Sequence, residues 1–401
     1  MNQQEFELLK SDEARKLIDQ YIDFDPLKFA LSHKASQIPT GLISSQLKYL
    51  QKAKAKLPSY FAARCIIPAL SYEQSSSEVT AALKKYSGKY CLDLTCGLGV
   101  DSLYFSKQFE RVVSLEMNET LANITRFNFN KLNATNIELI NTTAEDFISN
   151  YNGEKFDLIF VDPARRDDAQ GRVFLFEDCS PDLYTILPLV EPICKKLIVK
   201  ASPLFDNSEA WKRFPSMKSL TVVSVDNECK ELLLEFDFTD SNQTQLNQIH
   251  ISKKGIEQQF KFQSEQAPPA AIPSNDGVNY LIEPDVAFYK SRLCIELFNE
   301  YYPNLNITFD QADGYFYSQE PVESSFPGRF FRIIKQLDYQ PKTIKKLLKE
   351  KGIKKANVSK RNFPYSVEEI RKTLNLSDGG NQYLFFTKNR NNELKLIWAE
   401  K

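Results

Sequence analysis

The chain has 401 residues, with 51 Lys and Arg against 52 Asp and Glu, a formal net charge of -1 and a pI near 6.3. A 42% hydrophobic and 26% charged composition is that of a globular chain with room for roughly two to four domains. The near-neutral balance excludes nucleic-acid attraction by the whole-protein field and leaves it to local basic patches.

Seven cysteines without a Cys-x-x-Cys pair predict reduced thiols in a cytoplasm, and two histidines far apart, His33 and His250, argue against a histidine metal centre. The start Met-Asn-Gln-Gln-Glu-Phe-Glu lacks a signal-peptide pattern, and no run of about 18 apolar residues occurs. The expectation is a cytoplasmic protein with no membrane partner and no metal.

Residues 1–80 read as an N-terminal helical domain. Phe6, Leu9, Leu17, Ile18 and Tyr21 recur at helical spacing with a re-cap near Ser11-Asp12, and prolines 26, 39 and 58 punctuate the rest. Lys48, Lys52, Lys54, Lys56 and Arg64 form either a solvated helix face or a contact for a polyanion. Glu73-Gln74-Ser75-Ser76-Ser77-Glu78 reads as a helix cap before Val79–Tyr86.

From 81 to 265 short apolar strands alternate with helical segments, the pattern of a Rossmann-like α/β sheet. The strands are predicted at 90–94, 111–116, 137–141, 156–161, 196–200, 220–225 and 231–238, the last two forming a hairpin around Asp226-Asn227. The first strand runs into Thr95-Cys-Gly-Leu-Gly99 and a helix from Asp101, so Gly97 and Gly99 permit unusual backbone angles and close approach of a ligand. Glu116 ends the second strand and Asp162-Pro163 the fourth.

A second hairpin is predicted around Lys254-Gly255, a linker at 267–274, a small α+β domain at 275–320 and a last α+β domain at 322–401, with helices at 341–351 and 366–374, the second capped by Ser366. Between Lys342 and Arg361 stand nine Lys or Arg residues and one Glu, which suits phosphate contact through Lys345, Lys346, Lys355 and Arg361 or, equally, a solvated face.

Asp-Leu-Thr-Cys-Gly-Leu-Gly at 93–99, Ser-Leu-Glu at 114–116 and Val-Asp-Pro-Ala-Arg-Arg at 161–166 together resemble the class I S-adenosylmethionine-dependent methyltransferases. Glu-Gln-Ser-Ser-Ser at 73–77, Glu-Cys-Lys-Glu-Leu at 228–232 and Arg-Asn-Phe-Pro at 361–364 narrow the resemblance to bacterial members with ferredoxin-like (275–320) and THUMP-like (322–401) C-terminal domains, the latter the presumed RNA-binding module. The resemblance implies S-adenosylmethionine as cofactor. Asp93, Thr95, Gly97, Gly99 and Asp101 would hold its methionine end, Glu116 its ribose, and Asp146 its adenine unless that acid only caps a helix. Glu73, Gln74 and Ser75 would line the cofactor or target pocket, or serve only as part of the cap.

Asp162 and Pro163 match the acceptor-binding loop of N-methyltransferases, whereas Ala164 and Arg165 replace its Pro and Tyr. Arg165 or Arg166 would stack on a base, bind a phosphate, or pair with Asp167, Asp168 or Glu177. Covalent C5-pyrimidine chemistry needs a cysteine where this chain has Lys200-Ala-Ser-Pro203. The reading is a methyltransferase acting on a base nitrogen of tRNA or rRNA. Its rivals are a nicotinamide oxidoreductase, which expects a glycine at Ser102, a non-catalytic RNA-binding or assembly protein, and a methyltransferase for a small molecule or protein.

Overall fold

The computed structural model describes residues 1–33, 37–165, 179–239, 244–263 and 277–401. Arg166, its proposed acidic partners at 167, 168 and 177, and the linker at 267–274 lie outside them. The described chain forms two compact units: Met1–Thr221 with Lys230–Gln245, and Val222–Cys229 with Leu246–Lys401.

In the first unit, strands β1 (Gly88–Asp93), β2 (Phe109–Leu115), β3 (Ile137–Ile140) and β4 (Phe156–Val161) are followed by a short pair, β5 (Ala164–Arg165) and β6 (Cys179–Ser180), and then by β7 (Cys194–Ala201), β8 (Ser219–Val225) and β9 (Glu228–Asp237). The sheet order is β3-β2-β1-β4-β7-β9, parallel throughout except that β9 runs antiparallel to β7. β8 starts beside β9, where Lys218 N–H donates to Glu235 O at 2.7 Å. The predicted Asp226-Asn227 turn is present, both residues at positive φ, as a tight hairpin requires. An antiparallel strand wedged into a parallel sheet separates this topology from the all-parallel dehydrogenase sheet.

The sequence expects the first 80 residues to fold as a domain of their own, and the structure corrects this. Phe6, Leu9, Ile18, Leu47 and Leu50 from the N-terminal helices share one hydrophobic core with Val100, Leu103, Phe129 and Leu139. The apolar stripes of these short helices have no partner large enough among themselves, so they cover one face of the sheet. Ser11 closes the helix Gln3–Lys10 and caps Asp12–Tyr21, accepting from Ala14 N–H at 3.2 Å. The helix Glu78–Leu83 stops three residues before its predicted end because Lys84 turns into the interior.

The second unit holds the hairpin β10 (Leu246–Lys253) and β11 (Ile256–Gln263), turning at Lys254 and Gly255, both at positive φ. The expected boundary near 265 therefore moves to Gln245. Its main sheet is built from β12 (Tyr280–Pro284), β13 (Thr308–Phe309), β14 (Phe316–Ser318), β15 (Gly328–Asp338), β16 (Asn357–Lys360), β17 (Tyr383–Lys388) and β18 (Leu394–Glu400), in the order β13-β14-β12-β15-β18-β17-β16. Because β12 pairs with β14 on one side and β15 on the other, the two domains expected at 275–320 and 322–401 share one sheet. A free edge of β12 would leave a row of backbone donors and acceptors unpaired. The helix predicted from Val286 to Asn299 breaks at Arg292, which is left-handed at φ 61°. The amphipathic helix Pro341–Glu350 buries Ile344 and Leu348, and Val367–Leu374 carries the predicted capping box of Ser366 and Glu369.

Candidate active site

The carboxyl ends of β1, β2 and β4 meet around the glycine turn. Gly97 and Gly99 have φ of +55° and +83°, and a Cβ on Gly99 would stand 2.5 Å from Phe129 and 2.9 Å from Thr125. Glu116 ties this turn to the end of β2, its Oε2 accepting from Gly97 N–H at 3.0 Å and its Oε1 from Asn118 N–H at 2.8 Å. Burial raises the Glu116 carboxyl above its ordinary value against the pull of these donors.

A cavity of about 530 Å³ opens over the turn. Of the residues singled out in the sequence, Gln74, Ser75, Thr95, Gly97, Gly99, Asp101, Glu116 and Asp162 line it. Four do not. Asp93 is 1% exposed and sits beneath the turn, accepting from Thr95 N–H at 3.0 Å and from the Ser102 hydroxyl, so it orients the turn from below. Glu73 points to the surface and pairs with Lys52 at 2.9 Å. Asp146 is exposed and takes a hydrogen bond from Thr143 Oγ1 at 2.8 Å, while Thr143 and Glu145 are the residues of that segment on the cavity wall. Pro163 is buried behind the loop. Of Arg165 the backbone is described, paired across to Cys179.

Lys345, Lys346, Lys355 and Arg361 belong to the second unit. The three lysines are exposed, whereas Arg361 lies 3.2 Å over the Tyr289 ring and 3.5 Å from Glu283, a structural engagement. In the N-terminal helices Lys54 pairs with Asp23 and Arg64 with Asp19, and Lys56 donates to Tyr72 O. Burial pushes the Lys56 amine down to about 8.

The sequence reading missed a chain of buried ions under the cavity. Lys200, at the end of β7, is 13% exposed and places Nζ 2.5 Å from Asp162 Oδ2 and 3.0 Å from Ser76 Oγ. Ser76 in turn donates to Asp101 Oδ2 at 2.6 Å. Lys84 Nζ, fully buried, completes the chain at 3.0 Å from Asp101 Oδ1 and 2.6 Å from Glu231 Oε1. Burial opposes charge on Lys200, but the carboxylates of Asp162, Asp101 and Glu231 outweigh it and raise its pKa. Burial likewise opposes charge on Asp101, yet Lys84 and Lys200 hold it below the usual carboxylate range. The one available signal was polar residues in apolar runs, Lys200 in Leu-Ile-Val-Lys-Ala and Glu231 before Leu-Leu-Leu. Among the described residues no cluster of three or more His, Cys, Asp or Glu is arranged to hold a metal, and no helix is long and apolar enough to cross a membrane.

Residues 328–401 match the family described as THUMP domain-like, and residues 79–173 the family described as Conserved hypothetical protein 95. The crystal structure of a candidate methyltransferase from Porphyromonas gingivalis W83 is 27% identical, with a TM-score of 0.80 over 96% of both chains. A tRNA/tmRNA (uracil-C(5))-methyltransferase of Saccharophagus degradans is 27% identical over 137 residues, 29% of this chain and 37% of that protein. One from Acinetobacter baumannii is 32% identical over 95 residues, 20% of this chain and 26% of that protein. The chain thus spans about a third of the length of the curated relatives it matches. The sheet order, the glycine turn and the C-terminal match together give this chain the class I methyltransferase fold with a THUMP-like domain at residues 328–401.

Proposed function

We propose that the protein is an S-adenosylmethionine-dependent methyltransferase acting on RNA, with a nucleobase nitrogen of tRNA or rRNA as acceptor. The observation that carries this reading is that one cavity is lined at once by the glycine turn, Glu116 and Asp162. Asp101, Glu116, Glu145 and Asp162 give it four carboxylates, and no Lys or Arg stands among its described lining residues, a field suited to a ligand carrying a sulfonium and an ammonium. Nothing lies within 4 Å of where a Cβ on Gly97 would be, so a ligand has room against the main chain there. Glu116 retains lone pairs for two ribose hydroxyls after accepting its two amides. Thr143 and Glu145, in place of the expected Asp146, are placed for the adenine.

Bound S-adenosylmethionine supplies an electrophilic methyl group. Asp162 accepts a hydrogen bond from the acceptor N–H and aims the nitrogen lone pair into the cavity. The C5 chemistry in the relatives' names calls for a thiolate nucleophile. The thiol on this cavity's described wall, Cys96, is 7% exposed, and burial drives its pKa well above the ordinary value, which favours direct transfer to nitrogen. The exposed Lys345, Lys346 and Lys355 of the THUMP-like domain are the proposed phosphate contacts.

The test is to supply methyl-labelled S-adenosylmethionine and the protein to an extract of a strain lacking this gene. Label is expected in the RNA fraction, on a base nitrogen. Label in protein or metabolites with unlabelled RNA would overturn the substrate assignment.

A further inference from the structure

Asp162 is held from two directions. Its backbone N–H donates to Thr95 Oγ1 at 2.7 Å, which fixes the end of β4 against the glycine turn, and its Oδ2 receives the Lys200 ammonium. The carboxylate is 35% exposed on the cavity wall, while the ammonium beneath it is 13% exposed. A short carboxylate loop above a cavity of this size has several side-chain rotamers open to it, and an in-line displacement tolerates few of them. Lys200 cannot act on the acceptor as a base, because three neighbouring carboxylates keep it protonated. It has a different use.

We propose that Lys200 is the positioning residue of methyl transfer: its ammonium draws Asp162 Oδ2 inward, so that Oδ1 is presented to the acceptor N–H. This inference rests on the proposed function. Lys200 also donates to Ser76, which donates to Asp101 beside the turn. Acceptor-side Asp162 and donor-side Asp101 therefore hang on one hydrogen-bonded chain, Asp162–Lys200–Ser76–Asp101–Lys84, fixed to elements far apart in sequence. Asp162 so held is a hydrogen-bond acceptor more than a proton sink, because its inner oxygen is occupied by an ammonium. The acceptor that suits it is a nitrogen already neutral at physiological pH, as in a nucleobase, and not an aliphatic amine that must first be deprotonated.

The experiment compares wild type with Lys200→Met, Lys200→Arg and Ser76→Ala for methyl transfer to RNA, with S-adenosylmethionine affinity measured by calorimetry on the same folded samples. Lys200→Met is expected to lower kcat on the order of 100-fold, the cost of a misplaced reacting group, with donor affinity and KM for RNA within about twofold of wild type. Lys200→Arg should recover part of kcat, and Ser76→Ala should lose less than Lys200→Met. The wild-type rate should not climb about tenfold per pH unit between pH 7 and 9, as an aliphatic amine acceptor would make it do. A kcat for Lys200→Met within about twofold of wild type, or a loss confined to donor affinity, overturns the inference. A urea-unfolding cycle of Lys200→Met with Asp162→Asn needs no substrate: coupling of tenfold or more in the unfolding constant is expected, and coupling under twofold overturns the ion-pair basis. Wild type that labels no RNA sinks the proposed function, and the cycle then still decides whether Lys200 holds Asp162.

Discussion

At Asp93 burial and hydrogen bonding pull in opposite directions. Burial pushes the carboxyl up and the Ser102 hydroxyl and Thr95 N–H pull it down, leaving it at about 7 against an ordinary 3.8. A carboxyl with a raised folded pKa binds its proton more tightly in the native state, so its contribution is fully present below the unfolded value and is lost as pH climbs through the folded one. Between about pH 4 and 7 it should cost up to ~1.4 kcal/mol of stability per pH unit. Asp93→Asn keeps both hydrogen bonds, its amide oxygen accepting from Thr95 and its NH₂ donating to Ser102, and removes the titration. Denaturant unfolding across that range should give a flatter profile for Asp93→Asn than for wild type. Parallel profiles would mean that Asp93 carries no such penalty.

The elements around the cavity depend on two buried amides. Asn128 bonds both backbone groups of Ile66, at 2.9 and 2.8 Å, and Gln46 does the same for Ile67, at 3.1 and 2.9 Å. They clamp the segment leading into the helix Ala69–Gln74, whose end lines the cavity through Gln74. Asn128→Ala strands an N–H and a C=O in a buried place and should cost about 2–4 kcal/mol by denaturant unfolding; a loss below about 1 kcal/mol would show that the segment is held by packing alone. None of this was legible in the sequence, where Asn128 and Ile66 stand far apart. The strands were legible, because runs such as Phe156–Val161 are apolar throughout, as strands buried on both faces must be, and the chemistry sits just past their ends at Asp162 and Glu116. Asp93 was misjudged by one step for the same reason: the last residue of β1 still faces inward. Lys84 and Lys200 were read as helix and strand residues, since the partners that explain their burial, Glu231 and Asp162 with Ser76, are distant in sequence.

For the whole molecule, a formal charge of -1 means that any hold on RNA must be local and salt-sensitive. If the exposed Lys345 and Lys346 touch phosphates, Lys345→Glu with Lys346→Glu should weaken RNA binding and make the slope of log K against log salt less negative by about 0.7 for each phosphate that is no longer neutralised. An unchanged slope in a filter-binding titration would move the RNA surface elsewhere. The sequence foresaw three bodies around the methyltransferase sheet; the two units arise because the N-terminal helices share its core and because β12 bridges β14 and β15, neither of which a local pattern reveals. The central claim is that donor and acceptor meet in the cavity at Asp162. The most direct measurement sets Asp162→Ala beside wild type, following labelled methyl transfer to RNA and donor affinity together. The account predicts that transfer falls by at least ~100-fold while donor affinity stays near wild type; transfer that survives the substitution would contradict it.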